Sequence, residues 1–367
     1  MASNGKKSDI LRVFEAFCGY GSQRLALKRL KKNYPKFKFK VVGVSDIDKY
    51  ALAAYKQLHG DCPNYGDISK IDWAQVPDFD LFTYSFPCQD ISIAGEQKGL
   101  KRNSKTKSSL LWECEKAIRE KRPTYLVMEN VSNLLSAKFR PYFDKWVNLL
   151  NKYGYTSYTQ ILNATDYGVP QNRKRVFCVS FRNNPKFSFP KPIAREKPLD
   201  SFISVNNETY RSYYKKFNVN DGWYKRFKRD NDKETVEKCL GKDLTKAFEN
   251  GMVNTETRRK IKDIYVGCDF ANVNFWSAFN KDHCPTLCVT SKSGLVKEDL
   301  GGGYFRVRHL TPQEYFRLMG FEERDICKMN LLEVDGKKVS NTRLYQLAGN
   351  GIVVDVLYHL FREMFIK

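Results

Sequence analysis

From residue 11 to residue 181, short apolar, β-branched runs alternate with stretches whose apolar positions recur at helical spacing. Residues 11–17 (LRVFEAF), 39–47 (FKVVGVSDI), 81–86 and 125–131 (YLVMENV) read as strands, and 156–164 and 175–181 as two more. Between them, 22–32, 50–59 and 109–121 read as helices, the first with Ser22 as its cap. Phe139, Tyr142, Phe143, Trp146, Val147 and Leu150 also follow the helical period. That stripe is a packing face rather than a cofactor box. Strands alternating with helices predict an α/β fold, with a mainly parallel sheet covered on both faces. The rhythm breaks over 183–198, a stretch holding Pro185, Pro190, Pro192 and Pro198. Up to about residue 305, aromatic and cationic residues then interleave, as in Tyr213-Tyr214-Lys215-Lys216-Phe217 and Trp223-Tyr224-Lys225-Arg226-Phe227. From Arg308 the helical pattern returns, and Val353, Leu357, Leu360, Phe361 and Met364 give an amphipathic C-terminal helix.

Charge narrows the class of partner. Lys and Arg number 63 against 41 Asp and Glu, a formal charge of +22 on a chain of 367 residues that is 42% hydrophobic. Such a composition folds, so the excess lies on a surface, and a polyanion, nucleic acid first, is the natural partner. No apolar run is long enough to span a membrane, so none is expected to be involved. The ten cysteines lack paired spacings and suggest reduced thiols in a cytosol. His283-Cys284 with Cys288 lacks a second ligand pair, so no metal is expected.

The chemistry concentrates in three places. Pro87-Cys88-Gln89 follows the 81–86 strand, where ligands collect in open α/β sheets. A lone cysteine is most often an inert buried thiol. Here it is followed by Glu129-Asn130-Val131 after a second strand and by Gln171-Asn172-Arg173-Lys174-Arg175 further on. Thiol, carboxylate and paired guanidiniums are the parts needed to attack a cytosine ring. Upstream, FEAFCGYG (residues 14–21) joins the first strand to the first helix, and Gly19 and Gly21 would let backbone approach a ligand closely. Asp46 ends the second strand, placed to accept from ribose hydroxyls, and Asp67 follows as a candidate partner for an adenine amino group. Each carboxylate alone is more often a cap or a solvated loop residue. Without the full phosphate fingerprint G-x-G-x-x-G, a nucleoside cofactor fits better than a dinucleotide, and S-adenosyl-L-methionine meets that description.

Taken in order, FEAFCGYG, SDIDKYA, GDI, SFPCQ, ENV, QNRKR, RHLTPQEYFRLMGF and AGNGIVV resemble the motifs of bacterial cytosine-C5 DNA methyltransferases. They cover roughly residues 11–182 and 306–367. The resemblance implies a Rossmann-like catalytic domain from 1–189 and 306–367 that binds S-adenosyl-L-methionine, with a smaller target-recognition domain inserted at 190–305. It implies Phe17, Gly19, Gly21, Asp46, Ile47, Asp67, Ile68, Pro87, Asn350 and Gly351 around the cofactor. Cys88 would add to cytosine C6, cations nearby favouring its thiolate, and Glu129 would hold a proton at N3. Arg173 would reach the cytosine carbonyl oxygen and Arg175 would support the thiol loop or a phosphate. Asn130 would fix the loop backbone.

The target atom is buried in a duplex, so the base must leave the stack. Gln89, Ser92, Gln171, Thr286 and the lysines of a loop at 96–107 (Lys98, Lys101, Lys105) are the expected DNA contacts. The chain departs from the family pattern at Asp46, usually Glu, at Gly351, usually Ser, and at Cys18, usually Ala or Ser. The expected enzyme is a cytoplasmic, nucleoid-associated bacterial monomer acting on double-stranded DNA in restriction–modification or phage protection. A tRNA cytosine-C5 methyltransferase of the same fold and a catalytically idle DNA-binding regulator stay open at this level.

Overall fold

The computed structural model describes residues 10–92, 100–102, 104, 106–204, 263–267, 281–289, 294–301 and 304–366. Its elements are β1 (Ile10–Ala16), α1 (Ser22–Asn33), β2 (Lys38–Ser45), α2 (Lys49–His59), β3 (Leu81–Tyr84), α3 (Cys114–Lys121), β4 (Tyr125–Val131), α4 (Arg140–Lys152), β5 (Thr156–Asn163) and β6 (Lys174–Phe181). After these come β7 (Asp263–Gly267), β8 (Leu295–Gly301), β9 (Tyr304–His309), α5 (Pro312–Arg317), α6 (Glu323–Asn330), α7 (Asn341–Asn350) and α8 (Val354–Phe365).

The first six strands form one sheet in the order β2-β1-β3-β4-β6-β5. β1 pairs in parallel with β2 and β3, and β3 with β4, while β6 runs antiparallel to both β4 and β5. The expectation of a mainly parallel sheet holds, with β6 as the reversed strand. The physical reason is the link between Asn163 and Lys174, which is too short for a helical crossover.

Period-two alternation splits the core between the faces. On β1, Val13 faces a cluster with Leu27, Leu30, Leu58, Leu357 and Phe361 of the helices on one side. Phe14 faces the other, aromatic side with Trp73, Phe82, Tyr84 and Trp146. The predicted stripe on α4 behaves as expected, for Phe143, Trp146 and Leu150 are buried and Trp146 Nε1 donates to Tyr84 Oη at 3.2 Å. The predicted helix at 109–121 is divided, with a 3-10 segment over Lys107–Glu113 before α3.

Ser22 does not cap α1. Gly21 occupies that position in the left-handed region at φ 83°, and Ser22 Oγ instead accepts the N–H of Ile352 at 3.1 Å. That bond, together with Arg29 donating to Asp355 at 2.9 Å and to the Gly320 carbonyl at 2.6 Å, ties the C-terminal segment onto α1. The start of α5 carries a capping box between Thr311 and Glu314. Glu314 also shares the fully buried Arg308 with Glu298 of β8, at 2.8 and 2.9 Å. The expected domain boundary at 305 falls inside β9, which pairs with β8 in a separate sheet of order β7-β8-β9.

Candidate active site

The loop after β3 is held from several sides. Asn130 Nδ2 donates to the Phe86 carbonyl at 2.9 Å, the backbone-fixing role the sequence suggests for it. Ser108 Oγ donates to the Pro87 carbonyl at 2.6 Å, and the Ser108 N–H donates to Asp90 at 2.9 Å. Asn133 Nδ2 donates to the Ile91 carbonyl at 2.6 Å, and the Ser92 N–H to the Cys88 carbonyl at 2.8 Å. Cys88 is thereby presented half-buried on a fixed turn just past the sheet edge.

Glu129 enters from β4, 8% exposed. In the β4–β6 register Val131 faces Arg175, which puts Arg175 diagonal to Glu129 on the same face, within reach of a long side chain. Arg175 Nε lies 3.4 Å from Glu129 Oε1. Burial raises the Glu129 carboxyl above its ordinary range, opposed by Arg175, Arg173 and a hydrogen bond from Ser85. The Cys88 thiol is also raised, by burial first and then by Glu129, while Arg175 and Arg173 act the other way. The two cations favour the thiolate as expected, but burial outweighs them. The charge environments of thiol, carboxyl and both guanidiniums are therefore coupled in one place.

The two arginines take different positions from those expected. Arg173 is 4% exposed and spends its guanidinium on three carbonyls: Leu287 through Nη1 at 2.8 Å, Gly349 and Gly351 through Nη2, each at 2.8 Å. A group so engaged cannot reach a cytosine carbonyl, and Arg175 is the guanidinium beside Glu129. Gln171, expected at DNA, is fully buried. Its Nε2 donates to the Leu318 carbonyl at 2.6 Å and its Oε1 accepts the Leu287 N–H at 3.1 Å. It splices the 284–287 strip onto the segment before β6, where the Asn172 N–H donates to the Cys284 carbonyl and the Cys284 N–H to the Pro170 carbonyl, each at 2.8 Å. Thr286 Oγ1 donates to the Asn172 carbonyl at 2.6 Å on that seam. Gln89 and Lys101 are exposed and Ser92 is half-buried, whereas Lys98 and Lys105 lie outside the described residues.

Of the residues expected around a cofactor, Phe17, Gly19, Gly21, Asp46 and Ile47 lie just past the ends of β1 and β2. Phe17, Gly19 and Gly21 all have positive φ, at 54°, 55° and 83°. For Phe17 this costs roughly 1–2 kcal/mol, a strain of the kind found at binding turns. A Cβ on Gly21 would sit 2.5 Å from His59 Nε2, whereas one on Gly19 would meet nothing within 4 Å. Gly19 thus faces open space, and its N–H donates to Asp46 Oδ2 at 2.8 Å while the Asp48 N–H donates to Oδ1 at 2.9 Å. Burial raises the Asp46 carboxyl and these N–H bonds oppose it. Each oxygen keeps a second lone pair for a ligand hydroxyl.

Asn64, which the sequence did not single out, accepts the Asp46 and Gly66 N–H groups at 3.2 and 3.1 Å and ties the end of β2 to the loop before Asp67. Ile47 is 77% exposed, a large apolar side chain left uncovered beside Asp46. Asp67 caps a short turn, accepting from Ser69 N–H and Oγ at 3.0 and 2.8 Å, and those bonds lower its carboxyl. Ile68 is 3% exposed, so its side chain belongs to the core and only its backbone is left to meet a ligand. Pro87 and Gly351 are half-buried and Asn350 is exposed. Open space at Gly19, a carboxylate with free lone pairs and an uncovered isoleucine fit a nucleoside ligand without a phosphate.

A Rossmann-like sheet with a thiol, a buried carboxyl and a glycine turn at its edge defines a methyltransferase of the kind that works on cytosine C5. The chain matches the family described as C-5 cytosine-specific DNA methylase over residues 11–366, and it belongs to that family. It is 36% identical to the type II methyltransferase M2.ScrFI of Lactococcus lactis subsp. cremoris, covering 97% of this chain and 99% of that one. It is 28% identical to the type II methyltransferase M.HhaI of Haemophilus parahaemolyticus, covering 95% and 93%. In shape it is similar to the Dnmt2 methyltransferase of S. pombe, with a TM-score of 0.64 at 18% identity over 96% and 97% of the two chains. The protein is a DNA (cytosine-5-)-methyltransferase, and the family's methylation depends on S-adenosyl-L-methionine.

Proposed function

We propose that the protein methylates C5 of a flipped-out cytosine within a specific duplex sequence, through a covalent bond between Cys88 Sγ and C6. The observation that carries this reading is the meeting of Cys88, Glu129 and Arg175 on one fixed edge, with Glu129 and Arg175 3.4 Å apart. C5 of cytosine is a weak nucleophile until C6 carries a thiolate. Glu129, whose carboxyl is held high by burial, carries a proton to N3 as Sγ bonds C6, so no full charge builds on the ring. Arg175 neutralises the carboxylate that remains and donates toward the carbonyl oxygen at C2. Bound S-adenosyl-L-methionine supplies the electrophilic methyl group. Once the C5 proton passes to solvent, the Sγ–C6 bond breaks and N3 returns its proton to Glu129, leaving the Cys88 thiolate and the aromatic ring. The thiol, raised by burial in the free protein, would give its proton to solvent as Sγ adds to C6.

Phe17, Gly19, Gly21, Asp46, Ile47, Asp67, Pro87, Asn350 and Gly351 would surround the cofactor, with Asp46 on the ribose and Ile47 against the purine. Asp46→Ala should weaken S-adenosyl-L-methionine binding by ten- to a hundred-fold, from roughly 1.5–3 kcal/mol for a charged hydrogen bond. Calorimetry showing unchanged cofactor affinity would move the ribose elsewhere.

Residues 190–305 would form the target-recognition domain, and Gln89, Ser92, Lys101 and Thr286 would contact DNA, with Lys98 and Lys105 on the loop that closes over it. The relatives named type II methyltransferases support a restriction–modification role. The function is tested by bisulfite sequencing of plasmid DNA after expression. Methylation confined to one cytosine of one repeated duplex sequence is expected. Unmodified plasmid beside methylated host tRNA would overturn the DNA reading.

A further inference from the structure

Lys28, Lys31 and Lys32 of α1 converge with Arg324, Asp325 and Lys328 of α6 on an open cleft of about 450 Å³. A second cleft, of about 440 Å³, shares Lys28 and Lys31 and adds Arg24 and Lys40. The two make one basic groove along α1, which starts at the cofactor turn. By the rise of a helix, Lys31 lies roughly 14 Å beyond Ser22, away from the catalytic edge.

The carboxylates present do not balance these cations. Glu322 is shared by Lys32 at 3.5 Å, Arg324 at 3.2 Å and Arg29 at 3.9 Å. Asp325 lies 3.9 Å from Arg324, and Asp61 is taken by Lys56 at 2.8 Å. Among the described residues, no carboxylate lies within 4 Å of Lys28, Lys31 or Lys328 in a salt bridge. Lys28 is half-buried and donates to the Leu58 carbonyl at 2.9 Å. Its amine is lowered to about 8 by burial and by the proximity of Arg24, Lys328 and Arg324. Lys31, Lys32 and Lys328 each close a helix, where a cation gains roughly 0.3–1 kcal/mol from the dipole. That gain accounts for each of them singly. It does not account for their convergence with Lys28, Arg24, Lys40 and Arg324 in one groove, where a bound anion would relieve their mutual repulsion.

We propose that this groove is a second polyanion site, which takes the phosphodiester backbone of duplex DNA outside the segment held at Cys88. Phosphate contacts of this kind carry no sequence information and act through counterion release. The site would hold the enzyme on flanking DNA while the catalytic edge samples cytosines.

The test compares the wild type with Lys31→Glu/Lys328→Glu on two duplexes containing the site found by bisulfite sequencing, one of roughly two helical turns and one of roughly six. The variant should bind the longer duplex about ten-fold more weakly at low salt, with a salt slope smaller by about two. Its affinity for the shorter duplex, its single-turnover methylation of that duplex and its cofactor affinity should stay within two-fold. Lys31→Arg/Lys328→Arg should restore the longer-duplex affinity. An equal loss on both duplexes would show that these charges only steer DNA to the catalytic edge, and no loss on either would leave the groove without DNA. In a lysine-acetylation footprint, the longer duplex should protect Lys31 and Lys328. Protection by inorganic tripolyphosphate but not by that duplex would assign the groove to a small phosphate ligand and overturn the proposal. Absence of any plasmid methylation would instead count against the enzymatic reading, independently of this one.

Discussion

The two ends of the sheet edge hold their carboxylates by different means. At the end of β2, Asp46 is steadied by backbone: the N–H groups of Gly19 and Asp48 bond its two oxygens. At the end of β4, Glu129 is steadied by side chains from elsewhere, Arg175 on β6 and Ser85 before the thiol loop, with the Arg173 charge behind. A carboxylate held by its own turn needs only local sequence. One held by side chains from several strands needs the whole sheet in register. Substitution at the cofactor end should therefore change binding and little else, whereas substitution at the catalytic end should separate into chemistry and stability, residue by residue.

Arg173 and Arg175 sharpen that contrast most. Arg175→Ala should lower methyl transfer by about 10²–10³-fold, the usual loss for one charge-stabilising donor, with little change in melting temperature. Arg173→Ala leaves the carbonyls of Leu287, Gly349 and Gly351 without their donor and should destabilise the fold by roughly 3–5 kcal/mol. Thermal unfolding run beside single-turnover kinetics separates the two. If Arg173→Ala keeps its melting temperature and loses only activity, the roles drawn from the hydrogen bonds are reversed.

A smaller effect probes where the halves meet. The family's usual serine is Gly351 here, and a Cβ at that position would lie 1.8 Å from Tyr20 Oη. Tyr20, 1% exposed, fills the space with its own hydroxyl, so the glycine reflects an exchange of volume between two segments rather than a simple loss of a contact. Gly351→Ser should cost about 1–3 kcal/mol of stability from overpacking, and Tyr20→Leu in the same chain should recover most of it. Equal melting temperatures for the wild type and the single variant would remove Tyr20 from this explanation.

Much of this arrangement was legible in the chain. Strand and helix positions followed from alternating periods, and β4 begins and ends where its apolar run does. Cys88 and the glycine turn could be read because each lies in the loop that follows a strand, and Glu129 because it interrupts the apolar run of β4 near its end. What could not be read depends on distant partners. Arg173 and Arg175 are two residues apart and look alike in sequence. Leu287, Gly349 and Gly351 tell them apart, arriving 114 to 178 residues away. Gln171 has the polarity of a DNA contact, but its partners Leu287 and Leu318 lie 116 and 147 residues on. Ser108 bonds Pro87 across 21 residues, and nothing in its neighbourhood marks it. Ser85, inside SFPCQ itself, did have a local signal, a hydroxyl beside the thiol loop. The reversed β6 also had one, in the short link that precedes it.

The covalent step is the centre of the account, and trapping tests it most directly. Duplex DNA carrying 5-fluorocytosine at the methylated position should form a stable adduct in the presence of S-adenosyl-L-methionine, because fluorine cannot leave C5 as a proton does. Mass mapping should place the bond on Cys88, and Cys88→Ser should form no adduct while still binding cofactor and DNA. An adduct on any other cysteine, or one that persists in Cys88→Ser, would contradict the assignment of the nucleophile.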